Sequence, residues 1–303
     1  MAKILCADSD KRLSWLPNDF WDTTGHEWAA VPCGASVCDF LRDHGGDLAI
    51  VEVMLPDVCG FEVCRRIRAD RQLFTTPVML VSQTADTEEI EHGLAQGADD
   101  YLDKSLDSLE LQRRIRSVLD ASAAAAMPDP VTNLMNERMA KYMVQHCVSA
   151  RNPFALVCFE VIRLAEFARQ AGTGAAGIAL RRAACILETC GRPLKDDFFR
   201  PAHMGAAHFM CLVPPKMAEK YCNWVYSTWV KRLPELYEFL GVVPADPDKP
   251  GTQGVPCLDA LLYYTVCPGH TRSSAHDCFQ TLITIREHAL RSGGGIFADH
   301  RVH

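Results

Sequence analysis

Charged and hydroxyl side chains follow four predicted strands in the first third of the chain, each at the point where its strand ends. In an open parallel sheet the carboxyl ends of the strands lie along one edge, so these side chains should meet there. The residues at this predicted edge are Asp8, Ser9, Asp10, Glu52, Ser82 and Lys104. Acidic groups, a hydroxyl and a lysine together suit the binding of a divalent cation and a phosphoryl group.

Short apolar runs alternate with amphipathic stretches over residues 2–120, which is the pattern of a parallel sheet covered by helices. The predicted strands are residues 3–7, 26–31, 47–53, 77–82 and 100–102, and the predicted helices are residues 34–42, 60–69, 87–96 and 106–125. This arrangement predicts a doubly wound α/β domain with a five-stranded parallel sheet.

Two segments of this region resemble the receiver domain of bacterial response regulators. They are DLAIVEVMLPDVCGFEVCRRIR, residues 47–68, and GLAQGADDYLDKSL, residues 93–106. The resemblance covers residues 3 to about 121 and implies a flavodoxin-like fold. It places the phospho-accepting position on Glu52 and the metal-binding acid pair on Asp8 and Ser9. The switch hydroxyl, the switch aromatic and the lysine of the family fall on Ser82, Tyr101 and Lys104.

The predicted site departs from the family's pattern at two positions, because Ser9 replaces a carboxylate and Glu52 is longer than an aspartate by one methylene. Mg²⁺ requires near-ideal octahedral oxygen geometry, and in-line phosphoryl transfer is sensitive to displacements of about 1 Å. We therefore predict a pseudo-receiver without a metal or other cofactor. Three interpretations stay open: the domain serves only for docking or dimerisation, Glu52 imitates the phosphorylated state, or phosphorylation still occurs.

The stretch ASAAAAMPDP, residues 121–130, combines strong helix formers with two prolines that end a helix. We therefore divide the chain into a receiver-like domain (residues 1–122), a linker (residues 123–130) and a second domain (residues 131–303). The second domain has predicted helices at 136–150, 175–189, 216–233 and 275–291, strands at 154–161 and 261–267, a hairpin turn at 203–205 and a loop at 241–255. This order predicts a second α/β domain, with a mixed or antiparallel sheet.

Three segments of the second domain resemble the GGDEF family of diguanylate cyclases. They are DPVTNLMN, residues 129–136, FALVCFEVIRLAEF, residues 154–167, and HMGAAHFMCLVPP, residues 203–215. The resemblance covers roughly residues 128–297, and it places the Gly-Gly-Asp-Glu-Phe signature on Gly205, Ala206, Ala207, His208 and Phe209. It places the metal-binding aspartate on Glu160 and the guanine-binding residues on Ala168 and Gly177.

The signature of the second domain lacks the acids that the family's reaction needs. Condensing two GTP molecules requires carboxylates that hold two divalent cations, and here Ala207 and His208 stand at both acidic positions. Ala168 and Gly177 have no polar side chain with which to bind guanine. The domain is therefore predicted to be a degenerate, inactive cyclase.

Two further binding sites were weighed in this domain. His208 and Glu160 could form a new metal site, since imidazole and carboxylate are competent ligands. Arg192, in the segment RPLKDD (residues 192–197), could retain cyclic di-GMP, because arginine binds phosphate or guanine through two nitrogens. We expect neither site.

Composition excludes several functional classes. The 303 residues carry a net charge of −7, without the concentrated Lys and Arg stripe that is typical of nucleic-acid binding. The chain has no apolar run of roughly 20 residues and carries charge within its first ten, so we expect a cytoplasmic protein without a membrane span. The 14 cysteines include no C-x-x-C pair, and most lie in apolar runs. We therefore expect buried thiols with no metal or redox role.

The combined pattern predicts a non-catalytic bacterial signalling protein, in which a pseudo-receiver and an inactive cyclase-like domain act as a protein-interaction adaptor. Its partners would be other signalling proteins, and a homodimer would form through residues 101–119. A sensor of cyclic di-GMP or another nucleotide is the first alternative. A residual diguanylate cyclase with altered metal ligands is the second.

Overall fold

The protein forms two compact units in the computed structural model, which describes residues 1–10, 13–16, 19–84, 86–194, 199–245, 253–269, 274–292 and 295–298. The first unit comprises Met1–Ala126 and Lys141–Arg151, and the second comprises Met127–Ala140 and Asn152–His303.

The sheet of the first unit has five parallel strands in the order β2-β1-β3-β4-β5. The strands are β1 Lys3–Ala7, β2 Glu27–Val31, β3 Leu48–Glu52, β4 Val78–Ser82 and β5 Asp100–Asp103. Every residue of β3 and β4 is buried, because central strands of a parallel sheet are covered on both faces. The predicted five-stranded parallel sheet is confirmed.

Two apolar cores cover the two faces of this sheet, because successive side chains of a strand point in opposite directions. Leu5 packs in one core with Ile67, and Ile4 packs in the other with Ile115. The helices are α1 Phe20–Thr24, α2 Val37–His44, α3 Gly60–Ala69, α4 Thr87–Ala95 and α5 Ser108–Ala125. The sequence analysis did not predict α1, a single turn that buries Phe20 and Trp21.

Helix α6 (Glu137–Ser149) begins in the second unit and ends in the first. In its C-terminal part the Tyr142 hydroxyl donates to Asp99 at 2.5 Å, and Gln145 Nε2 donates to the Gln96 carbonyl oxygen at 3.2 Å. His146 Nδ1 lies 2.9 Å from the carbonyl oxygen of Arg68. These polar contacts explain why residues 141–151 group with the first unit, whereas the sequence analysis assigned them to the second domain.

The second unit contains a mixed six-stranded sheet in the order β11-β10-β7-β9-β8-β6. The strands are β6 Met135–Asn136, β7 Phe154–Ile162, β8 Ala202–His203, β9 His208–Val213, β10 Asp259–Cys267 and β11 Gly295–Ala298. The central strand β7 pairs antiparallel with both β9 and β10, while β6 and β11 pair parallel with their neighbours. The predicted hairpin is formed by β8 and β9.

The remaining helices of the second unit are α7 Leu164–Ala171, α8 Thr173–Gly191, α9 Ala218–Leu240 and α10 Ala275–Ser292. Helix α7 was not predicted. Helix α9 continues past Pro234, which the sequence analysis took as its end region. Leu236 and Tyr237 are buried in the same core as Trp229, and this packing holds the last turns in place despite the proline.

The predicted loop at 241–255 is only partly described, because residues 246–252 lie outside the described ranges. Its two ends meet at a β-bridge between Pro244 and Val255. Across the described part of the chain, we found no helix with both the length and the apolar character to cross a membrane.

Candidate functional site

The carboxyl edge of the first sheet brings together the acidic and basic residues that the sequence placed there. Asp8 follows β1, Glu52 is the last residue of β3, and Lys104 follows β5. All three side chains are less than 10% exposed. Lys104 Nζ lies 2.8 Å from Asp8 Oδ2 and 2.6 Å from Glu52 Oε1, so one ammonium group bridges two buried carboxylates.

Ser9 binds the other oxygen of Glu52. Its backbone nitrogen and its hydroxyl both donate to Glu52 Oε2, each at 3.0 Å. Burial alone would raise the pKa of Glu52, but the hydrogen bonds from Lys104 and Ser9 lower it below its ordinary value. Glu52 is therefore an anion at neutral pH, and the extra methylene of its side chain is used to reach Ser9.

Asp8 is held in the same way. Its Oδ1 accepts from the backbone nitrogen of Asp10 at 2.8 Å, and its Oδ2 accepts from the Trp15 indole nitrogen at 3.0 Å as well as from Lys104. The ammonium group of Lys104 also lies 5.6 Å from the centroid of the Trp15 ring. The sequence analysis missed Trp15, because nothing in its spacing from the predicted strands marks it as part of this site.

The donors at this edge do not suit the magnesium ion that the receiver resemblance implies. Mg²⁺ needs carboxylate oxygens directed at one point in octahedral geometry. All four carboxylate oxygens of Asp8 and Glu52 instead accept hydrogen bonds, and a lysine ammonium lies between the two groups. We call this closed set of contacts among Asp8, Ser9, Glu52, Lys104 and Trp15 the acid–lysine network.

Ser82 and Tyr101 lie beside this network, on the side of α4. The Ser82 hydroxyl accepts from the backbone nitrogen of Thr84 at 3.4 Å. The Tyr101 ring is buried, and its hydroxyl donates to Glu89 Oε2 at 2.9 Å. Burial, together with the neighbouring Glu89 carboxylate, raises the pKa of Tyr101 to about 12. Tyr101 therefore stays neutral and connects β5 to α4.

In the second unit, Glu160 is paired with an arginine from a distant part of the chain. Arg286 of α10 donates through Nε to Glu160 Oε2 at 2.7 Å and through Nη2 to Glu160 Oε1 at 2.8 Å. His208 Nε2 lies 3.4 Å from Glu160 Oε1, because the two residues are opposite each other on β7 and β9. Burial would raise the pKa of Glu160, but these partners lower it to about 2.

The two-nitrogen contact of Arg286 bears on the proposed metal site at Glu160 and His208. A cation there would have to displace a guanidinium that already uses both carboxylate oxygens. Within the described residues, no group of three or more His, Cys, Asp or Glu side chains could hold a metal ion. The second unit therefore offers a charge-neutralised glutamate where a cyclase needs ligands for two cations.

The residues aligned with the cyclase signature form the turn and first strand residues of the β8–β9 hairpin. Gly205 and Ala206 both have positive φ, at 89° and 49°, and the nitrogen of His208 donates to the Gly205 carbonyl oxygen at 3.0 Å. The Ala207 carbonyl oxygen accepts from the Val161 nitrogen at 3.0 Å. Phe209 is fully buried in the core. The turn thus presents small side chains rather than carboxylates.

The predicted guanine-binding positions lie on the two helices after β7. Ala168 is in α7, where it packs partly buried against the core, and Gly177 is in α8. Arg192 follows α8, while residues 195–197 of the segment RPLKDD lie outside the described ranges. Arg192 lines a cavity of about 370 Å³ together with Glu188, Phe199 and Arg200.

The first unit belongs to a known class of domains. Its doubly wound parallel sheet carries an acid pair and a lysine at the carboxyl edge, which is the arrangement of a phosphorylation-linked signalling domain. Residues 4–116 match the response regulator receiver domain family, and this part of the chain is a receiver domain.

The curated relatives are transcriptional regulators. The chain is 35% identical over 116 residues to the transcriptional regulatory protein GltR of Pseudomonas aeruginosa, covering 38% of this chain and 48% of that protein. It is 42% identical over 95 residues to AfsQ1 of Streptomyces coelicolor, covering 31% of this chain and 41% of that protein. The chain thus spans about half or less of these relatives' length.

Among solved structures, the receiver domain of Francisella response regulator 1452 is 25% identical to this chain, with a TM-score of 0.37. The match covers 40% of this chain and 99% of that structure.

Proposed function

We propose that this protein is a non-catalytic signalling adaptor, in which a pseudo-receiver domain and a degenerate GGDEF-like domain present surfaces to other signalling proteins. The acid–lysine network carries this proposal. Its carboxylate oxygens are all hydrogen-bonded within the protein, so the pocket is complete without a metal ion or a phosphoryl group. A receiver domain built in this way would stay in one state and act as a docking module.

The permanent charge of Glu52 favours docking in a fixed state over regular phosphorylation. A phosphoryl group arriving at Glu52 would have to replace the bonds from Lys104 or from Ser9. Histidine kinases, which interact with receiver domains, belong to the class of partners that we propose. A homodimer through residues 101–119 remains part of the proposal.

Two features support the GGDEF-like assignment of the second unit. The segments that resemble the family lie next to each other: β6 pairs with β8, and Asp129 Oδ1 is 3.0 Å from His203 Nδ1. The residue aligned with the metal-binding aspartate, Glu160, also lies directly opposite His208 of the signature. With Arg286 on Glu160, this domain would have no cyclase activity, which is why a residual cyclase ranks last among the alternatives.

Isothermal titration calorimetry of the full chain with cyclic di-GMP, and separately with GTP and Mg²⁺, tests the adaptor against the other functions. We expect no saturable heat with either ligand, and no phosphoryl adduct in the intact mass after incubation with acetyl phosphate and Mg²⁺. Turnover of GTP that Glu160→Ala abolishes would instead establish a residual cyclase. A phosphoryl adduct on Glu52 would overturn the fixed-state receiver.

A nucleotide sensor is the second candidate, and the cavity beside Arg192 is the observation that favours it. Two arginines, Arg192 and Arg200, and the ring of Phe199 offer groups that bind phosphate and stack on a base. Saturable heat with cyclic di-GMP that is lost in Arg192→Ala, but kept in Arg169→Ala on α7, would replace the adaptor by this function.

A further inference from the structure

Two cysteine thiols of the second unit lie almost within bonding distance. The Sγ atoms of Cys267 and Cys278 are 3.0 Å apart and are not joined by a disulfide. A disulfide bond is about 2.05 Å long, so a shift of about 1 Å between the two sulfurs would suffice to form one. The cysteines are separated by 11 positions in sequence, and for this reason no short motif revealed them.

The elements that carry the two thiols hold them together. Cys267 is the last residue of β10, which pairs along its length with the central strand β7. Cys278 lies in the first turn of α10. That turn is fixed by a reciprocal cap, in which the Ser274 hydroxyl donates to Asp277 at 2.9 Å and the Asp277 nitrogen donates to the Ser274 hydroxyl at 3.1 Å. The proximity thus rests on two regular elements.

The environment of Cys278 differs from that of the other buried thiols. The hydrogen bond from Cys267 lowers the pKa of the Cys278 thiol, and a position in the first turn of a helix also favours the thiolate. Burial instead raises the pKa of Cys158 and of Cys211 to about 12. Cys278 is therefore the thiol of this group with the greater nucleophilic fraction at neutral pH.

We propose that Cys267 and Cys278 are a redox modification site, which a small peroxide such as hydrogen peroxide converts reversibly into an intramolecular disulfide. The Cys278 thiolate attacks one oxygen of the peroxide, the O–O bond breaks, and a sulfenic acid forms while hydroxide leaves and takes up a proton. The Cys267 thiolate then attacks the sulfenic sulfur, the S–S bond forms, and the S–O bond breaks to release a second hydroxide, which becomes water. Two thiols lose two electrons, and one peroxide is reduced to two waters.

The burial of the pair defines the class of oxidant. Cys267 is 8% exposed and Cys278 is 3% exposed, so a bulky disulfide reagent reaches them poorly, whereas a peroxide is little larger than water. The bond would join the end of β10 to the start of α10, the helix that supplies Arg286 to Glu160. Oxidation would therefore fix the helix that completes the charge pair of the second unit.

The test exposes the reduced full chain to hydrogen peroxide, alkylates the remaining thiols and maps the peptides by mass spectrometry with and without reduction. We expect a linked Cys267–Cys278 peptide that dithiothreitol removes. It should form on the order of tenfold faster than oxidation of the exposed Cys59 and Cys185. Cys222→Ser, which removes another buried thiol of the same unit, should leave the linkage unchanged.

Two results would overturn the proposal. In the first, Cys267 and Cys278 are alkylated as separate thiols at a peroxide dose that oxidises Cys59 and Cys185. In the second, the same linkage forms equally fast in the urea-unfolded chain, so that the fold is not its cause. In Cys267→Ser, the sulfenic acid on Cys278 should persist and react with dimedone. The wild-type measurement is decisive even where that variant does not fold.

Discussion

Lys104 Nζ and Glu52 Oε1 are 2.6 Å apart in a buried position of the receiver domain, although 52 residues separate them in sequence. The same ammonium group binds Asp8, and Ser9 binds the second oxygen of Glu52. The charge of the glutamate is thus matched inside the protein, which is the physical basis for a receiver domain that needs no ligand to complete its pocket.

Removing the cation of this network should destabilise the first unit. Lys104→Met keeps most of the side-chain volume but leaves the carboxylates of Asp8 and Glu52 buried without their positive partner. We expect the free energy of unfolding to fall by about 3–5 kcal/mol in urea denaturation. Arg113→Ala, which removes an exposed ion pair with Glu110, should leave it almost unchanged. Equal losses in the two variants would contradict a structural role for Lys104.

Restoring the family's acids should restore phosphorylation. In Ser9→Asp with Glu52→Asp, the serine donor is removed and the shorter side chain leaves room for a cation. We expect the double variant to gain the mass of one phosphoryl group from acetyl phosphate and Mg²⁺, whereas the wild type should not. Glu52→Asp alone should react at least tenfold more slowly, since it lacks the second acid. A wild type that reacts as fast as the double variant would show that the network is no barrier.

Stability of the second unit should depend on acid through Glu160. Its folded-state pKa of about 2 lies below its ordinary value of 4.5, so the pair with Arg286 stabilises the fold above about pH 4.5. This contribution, on the order of 2 kcal/mol, is lost as the pH falls from about 4.5 towards 2. Unfolding free energies of wild type and Glu160→Gln, measured from pH 6 to pH 2.5, should therefore converge at the acid end. Parallel curves would exclude this pair as the cause.

Gly97 tests the assignment of residues 141–151 to the first unit. It has a φ of +97°, and a Cβ there would lie 2.8 Å from Gln145 Cγ and 3.0 Å from Arg68 Cγ. Gly45 has a φ of +72° with nothing within 4 Å of such an atom. Gly45→Ala should cost about 1 kcal/mol of backbone strain, and Gly97→Ala should cost about 1–3 kcal/mol more through the added clash. Equal costs in thermal or urea unfolding would mean that Gln145 does not pack there.

The proposed homodimer predicts a specific surface. Leu109 lies on α5 within residues 101–119 and is 77% exposed, which is unusual for a leucine that has no partner to cover it. Leu109→Glu should convert a dimer to a monomer in light scattering, whereas Leu290→Glu on the second unit should not. A wild type that is monomeric at high concentration would remove this part of the proposal.

The sequence by itself determined the features that depend on local pattern. Apolar runs placed every strand of the receiver domain within two residues, because a central strand of a parallel sheet must be apolar along its length. The positions of Asp8, Glu52 and Lys104 at the ends of those strands also followed, since strand ends of a parallel sheet share one edge. The α/β character and mixed sheet of the second unit were likewise readable from its alternating elements.

Tertiary structure alone decided the partners of these residues. Arg286 meets Glu160 across 126 positions, and Cys267 meets Cys278 because a strand end and a capped helix start pack together. Helix α9 passes Pro234 because Leu236 and Tyr237 are buried, and α6 ends in the first unit because Tyr142 finds Asp99. Each outcome depends on the burial and geometry of groups that are distant in sequence, and residue type and spacing do not encode those distances.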